Sequence, residues 1–181
     1  AERSRPVDPD GELAKVHKVA EAGRFEVQTR IGAYRDAHIE ARCAYVKKVL
    51  SFIDVGSLRP LKLVVNCGNG AAAAAYTAIK QELANQSAPL VFVDQFLEPD
   101  ASFPNGIPNP LLVENQPVTR EKVLGSQADI GVAFDGDFDR CFFFDETGQF
   151  IPGEYIVGLL ADVFLDKEAA AAIVHDPRVV L

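Results

Sequence analysis

This chain has no methionine, and its three cysteines, Cys43, Cys67 and Cys141, stand far apart with no Cys-x-x-Cys spacing. An odd number of scattered thiols is not a disulfide framework; it reads as reduced cysteines in a cytoplasmic protein. No apolar run reaches the length of a membrane span, and no charged-then-apolar segment opens the chain, so no membrane partner is expected. A basic excess is missing too: 18 Lys and Arg face 26 Asp and Glu, a net charge of −8. That disfavours a nucleic-acid partner or an anionic membrane surface. A small anionic substrate stays open, because one Arg or one metal ion can reverse the field locally. The start at Ala1-Glu2-Arg3 without Met, and an end that reads as a strand running into a loop over residues 172–178, lead us to expect a piece of something longer.

What is present suffices for a folded domain. Of 181 residues, 48% are hydrophobic, enough for a core and too many for a disordered chain. Residues 1–9, with Pro6 and Pro9, read as irregular. A helix is predicted from Glu12 to Ala22 with Gly23 as its stop, and a stronger one from Ala37 to Ile53. The second carries an apolar stripe of Ile39, Cys43, Val46, Leu50 and Ile53, with Asp36 as a candidate cap. Strands are expected at 61–65, 90–93, 130–134, 141–144 and 173–174. Helices are expected at 71–84, from Thr119 as cap to Ser126, and from Gly153 to Lys167. Residues 98–117 hold five prolines and read as a long loop; within it 103–110 could contact substrate or a neighbouring domain, with a stiff surface connection the favoured reading. Alternating strands and helices predict an α/β fold, a layered sheet of about four strands flanked by helices.

The most informative segment follows the apolar run Ile130–Phe134. It is Asp135-Gly136-Asp137-Phe138-Asp139-Arg140, three carboxylates at alternate positions and then a guanidinium. In an extended segment alternate side chains share a side, which would bring the three together. Converging carboxylates repel unless a cation or solvent offsets their charge. Oxygen-only ligands select a hard cation, Mg2+ or Ca2+.

Competing readings of this segment stay open. An EF-hand loop would place Asp135, Asp137 and Asp139 at its first, third and fifth positions and Glu146 at its twelfth, but Arg140 stands where the sixth needs Gly. An Asp-nucleophile phosphatase would use Asp135 as nucleophile and Asp137 as acid. Separately, Gly68-Asn69-Gly70-Ala71-Ala72-Ala73 fits G-x-G-x-x-A between a strand and a helix, with Asp94 ending the next strand. That pattern suits an NAD-dependent oxidoreductase, although any tight strand-to-helix turn wants the same small residues. A non-catalytic structural or interaction module is the remaining alternative. His17 and His38 lie among polar residues on helices, and His175 ends a strand; none is taken as a site residue.

Several stretches together resemble the bacterial phosphomannomutases of the α-D-phosphohexomutase superfamily. The closest is Phe134-Asp135-Gly136-Asp137-Phe138-Asp139-Arg140-Cys141, similar to that family's metal loop. In order around it stand Leu61–Asn66 with Gly68–Ala72, then Phe103-Pro104-Asn105-Gly106-Ile107-Pro108-Asn109-Pro110-Leu111-Leu112, then Tyr155–Ala161 and His175-Asp176-Pro177-Arg178. The resemblance implies residues 1–35 as the end of domain I and a linker, 36–150 as the metal-binding domain II, and 151–181 as the start of domain III.

By the same resemblance Asp135, Asp137 and Asp139 bind Mg2+, a phosphoserine oxygen from domain I completes the site, and Arg140 lies near the phosphoserine. The implied substrate is a phosphorylated hexose, with phosphate moving between O6 and O1 of mannose through a bisphosphate. None of the serines here sits in the Thr-Ala-Ser-His-Asn-Pro type of setting, so the nucleophile is expected elsewhere in a parent enzyme, and the chain alone is expected to be inactive. The partners implied are the missing domains. Self-association or disorder is also expected there, because the apolar helix near 154–166 would lack its partners.

Overall fold

Leu61–Asn66 is a mostly apolar run interrupted by Lys62 and closed by Asn66, and it forms the central strand β1. In the computed structural model, residues 7–23, 25, 29–30 and 32–174 are described. β1 pairs in parallel with β2 (Leu90–Gln95) on one side and with β3 (Ile130–Phe134) on the other. β4 (Cys141–Phe144) returns antiparallel to β3, and β5 (Phe150–Ile151) pairs antiparallel with β4. The order β2-β1-β3-β4-β5 makes a five-stranded mixed sheet within an α/β fold.

Successive side chains of β1 point to opposite faces, and the core divides accordingly. Val64 packs with Ala133, Phe144, Ala128 and Val123, the last from helix α4 (Gln116–Ser126). Val65, with Leu63 beside it, packs with Cys67, Ala72, Ala73 and Tyr76 of helix α3 (Ala72–Asn85). Outside α3 lies α2 (His38–Leu50), joined through Val46, Leu50 and Leu83. The sheet is thus covered on both faces, as a parallel sheet requires.

Two compact units divide the chain, Ala1–Ala37 and His38–Leu181. In the first, a π-helical turn at Pro9–Leu13 runs into α1 (Ala14–Ala22), which stops at Gly23 in the left-handed conformation. The second contains the sheet and ends its described helices with α5 (Gly153–Lys167).

Several local expectations change. Thr119 does not cap α4: the helix begins three residues earlier, with Pro117 in its first turn, where a missing N–H costs nothing. Thr119 is instead buried, and its hydroxyl accepts a hydrogen bond from Asn66 Nδ2 at 2.9 Å. Residues 173–174 form no strand, and 171–174 have no regular structure. The fifth strand is Phe150–Ile151, two residues long and set by a turn in which Asp145 Oδ1 accepts from Thr147 N, Thr147 Oγ1 and Gln149 N. Of the α2 stripe only Val46 and Leu50 are buried; Ile39, Cys43 and Ile53 stay exposed. His175 and Arg178 lie outside the described residues.

Candidate metal centre

In a sheet ordered β2-β1-β3, the crevice beyond the carboxyl ends of β1 and β3 is where crossovers diverge and loops gather. Both sequence motifs emerge there, the Gly-rich turn after β1 and the acidic loop after β3. The register sets Asn66 beside Ala133, so the two loops leave the sheet at nearly the same level.

The acidic loop is not an extended segment. It turns at Gly136-Asp137, with the Phe138 N–H donating to the Asp135 carbonyl at 3.4 Å. Phe138 adopts a left-handed backbone, φ 65°, and its ring meets Phe134 edge-on with centroids 5.0 Å apart. The ring is partly buried against the core on the α3 side of the sheet, which favours the turn. One ligand atom from each of Asp135, Asp137 and Asp139 then lies within 4.8 Å of the others. The convergence expected from the spacing is present, but a turn produces it rather than strand alternation.

Asp135 is 1% exposed, whereas Asp137 and Asp139 are exposed. Arg140 binds back across the loop: its backbone N–H donates to Asp135 Oδ1 at 3.1 Å and its Nε to Asp139 Oδ1 at 3.0 Å. Its Nη2 forms an ion pair with Asp135 Oδ2 at 2.6 Å. The hydrogen bond to Asp139, helped by the charge of Asp135, pushes the already high Arg140 pKa further up, so the guanidinium stays charged. The donor set fits a hard divalent cation. All three groups are carboxylates with converging oxygens, and the single Arg140 guanidinium leaves their three negative charges incompletely offset.

The rival readings meet specific obstacles. An EF-hand needs a helix after the loop, and Cys141–Phe144 is a strand. A nucleophilic Asp135 would need an oxygen open to in-line attack, and this residue is buried against Arg140. For a dinucleotide, the pyrophosphate would have to approach the glycines of the turn, but protein fills that space. A Cβ on Gly68 would collide with Pro108, and one on Gly70 would lie 2.6 Å from the Gly136 carbonyl oxygen. Asp94 is also engaged, accepting from Tyr76 Oη at 2.6 Å and from Lys80 Nζ at 2.9 and 2.7 Å. The proline-rich segment 103–110, expected to be a plain surface connection, packs onto the Gly-rich turn through Pro108 and Asn105. Sequence reasoning missed this use of Asn69 and Asn105; the density of Asn and Gly in both segments was the available signal.

Comparison with known proteins places the fold in a family. A family model described as phosphoglucomutase/phosphomannomutase, alpha/beta/alpha domain II, matches residues 43–148. The phosphomannomutase of Salmonella montevideo is 52% identical over 179 residues, covering 98% of this chain and 39% of that protein. A phosphomannomutase of Escherichia coli K12 is 50% identical with the same coverage. A crystal structure of a phosphoglucomutase/phosphomannomutase family protein from Burkholderia thailandensis superimposes with a TM-score of 0.67 at 31% identity, over 86% of this chain and 32% of that one. The chain therefore spans about 39% of the length of these curated relatives. With the family model covering more than half of its residues, this chain belongs to the phosphoglucomutase/phosphomannomutase family.

Proposed function

We propose that this chain is the metal-loop segment of a phosphohexomutase that interconverts mannose 6-phosphate and mannose 1-phosphate. Its reading as 1–35, end of domain I and linker, 36–150, metal-binding domain II, and 151–181, start of domain III, belongs to the same proposal, as does a cytoplasmic parent. The observation that carries it is the convergence of Asp135, Asp137 and Asp139 within 4.8 Å beside a charged Arg140, in a family whose relatives bear the name phosphomannomutase.

In this reading the three aspartates hold Mg2+, which when bound would neutralise charge on a phosphoryl group and orient the serine oxygen that carries it. The residues of this chain supply binding and orientation. Asp135 anchors the loop from a buried position, and Asp137 and Asp139 offer exposed oxygens toward solvent. Arg140, half exposed and held by two carboxylates, presents remaining N–H groups to a phosphate, since one guanidinium can serve both kinds of anion. The phosphoserine of the parent's first domain passes its phosphoryl group to the sugar hydroxyl. The bisphosphate turns over in the cleft, and its other phosphate returns to the serine, so the enzyme ends as it began.

Two measurements test this. Mn2+ titrated into the chain, followed by loss of its free-ion EPR signal, is expected to bind at one site that Asp137→Asn weakens. Absence of any saturable binding overturns the metal reading. The 181-residue chain is expected to show no turnover of mannose 1-phosphate, and robust turnover would refute the division of labour among domains.

A further inference from the structure

The Gly-rich turn after β1 is left without a ligand by the function above, and its geometry gives it a different task. Gly136, the second residue of the acidic loop, lies directly on it. A Cβ at Gly70 would sit 2.6 Å from the Gly136 carbonyl oxygen, closer than real Cβ atoms stand, and a tight 3.1 Å from its Cα. The Ala71 N–H donates to that same carbonyl at 3.0 Å. On its other side Gly136 meets the proline-rich segment: a Cβ there would lie 3.3 Å from Phe103 Cζ and 3.6 Å from Pro108 Cγ. The peptide between Asp135 and Asp137 is therefore gripped from both sides by segments remote in sequence.

The turn also ties the gripping segment down. Asn69, at φ 57°, holds a left-handed conformation that Asn tolerates better than most residues. Its Oδ1 accepts from Asn105 Nδ2 at 2.8 Å, its Nδ2 donates to the Glu98 carbonyl at 2.8 Å, and its carbonyl accepts from Asp100 N at 2.9 Å. Its own N–H donates to the Phe96 carbonyl at 2.9 Å. We propose that Gly70 and Asn69 are positioning residues for the metal site: Gly70 lets the carboxylate loop seat on the turn, and Asn69 locks the proline-rich segment over it. This rests on the metal reading of the acidic loop. The glycines are there for the close approach of another peptide, in the way a dinucleotide fold uses them for a phosphate.

The test uses Gly70→Ala and Asn69→Gly in the whole chain, with Gly125→Ala as control because nothing lies within 4 Å of its added methyl. Asn69→Gly keeps the left-handed backbone and removes only the side-chain bridges. Two readouts are taken: Mn2+ affinity, and amide exchange of residues 135–140 in metal-free protein. Gly70→Ala is expected to weaken Mn2+ binding by about tenfold to a hundredfold and to speed loop exchange, with Asn69→Gly at the lower end of that range. The control is expected to match the parent chain. Parent-like Mn2+ binding and exchange in both variants would overturn the proposal. Should Gly70→Ala fail to fold, Asn69→Gly decides by the same two readouts. Should the parent chain itself bind no Mn2+, the metal reading falls, and loop exchange alone still decides whether the turn positions the loop.

Discussion

Phe138 shows how one residue can shape a site it does not join. A left-handed backbone costs a non-glycine residue about 1–2 kcal/mol. Partial burial of its ring, with an edge-on contact to Phe134, returns an amount of the same order, about 0.5–1.5 kcal/mol from the aromatic pair plus the area buried. The turn is affordable only because the ring has somewhere to go, and that turn is what brings Asp137 and Asp139 to Asp135. Asp137 makes no ion pair among the described residues, so its two roles separate cleanly. Asp137→Asn is expected to weaken Mn2+ binding by at least about tenfold, ~1.4 kcal/mol. Without metal it is expected to leave the melting temperature unchanged or slightly raised, because one of three mutually repelling charges is gone. A drop in metal-free stability would mark Asp137 as a structural residue. Thr119 offers a contrasting case. Thr119→Val keeps the shape but strands the buried Asn66 amide, and denaturant unfolding is expected to show a loss of about 1–3 kcal/mol.

At the scale of elements, α3 is attached to the sheet by a polar clasp as well as by its alanines. Tyr76 and Lys80, one turn apart on α3, both reach Asp94 at the end of β2. Burial alone would raise the Asp94 pKa, but the hydrogen bonds from Lys80 and Tyr76 outweigh it and hold the carboxyl below the ordinary range. Burial, then the bond to Asp94, pushes the Tyr76 phenol far up, so it remains a donor at any working pH. Since the folded-state pKa of Asp94 is depressed, its stabilisation is present above the ordinary aspartate pKa of about 4 and is lost as the pH falls through the depressed value. Melting temperatures measured downward from pH 5 are expected to fall less steeply in Asp94→Asn than in the parent chain, and parallel curves would exclude the clasp. Cys67, beneath the same helix, has its thiol pushed up to about 12 by burial and by the charge of Asp94. Thiol reagents are expected to modify the surface residue Cys43 in the native chain and Cys67 only after unfolding, as peptide mapping would show.

For the molecule as a whole, the decisive feature is α5. None of its residues is buried, and Tyr155, Leu159, Leu160 and Phe164 are each at least half exposed. A helix this apolar normally pays for its order by packing. The chain is therefore expected to self-associate with rising concentration in sedimentation velocity, and Leu159→Glu with Leu160→Lys is expected to return it toward monomer. Strictly monomeric parent chain with strong exchange protection over 153–167 would contradict this. Among the described residues no helix is long and apolar enough to cross a membrane.

The division between sequence and structure follows the range of the forces involved. Helices α1 to α5 and strands β1 to β4 were legible because apolar periodicity, Gly stops and Ala propensity act over a few neighbouring residues. The three aspartates were legible for the same reason, since their spacing is local. The two-residue β5 was not, because a hairpin turn at Asp145 creates it rather than any strand-like run. Nor was the burial of Thr119, the bridge between Asn69 and Asn105, or the seating of Gly136 on Gly70. Those contacts join residues tens of positions apart, and they exist because β1 lies between β2 and β3 with both loops leaving at one end. Chain chemistry alone supplied the carboxylates and the small residues; only the strand order decided that the small residues would hold the carboxylates in place.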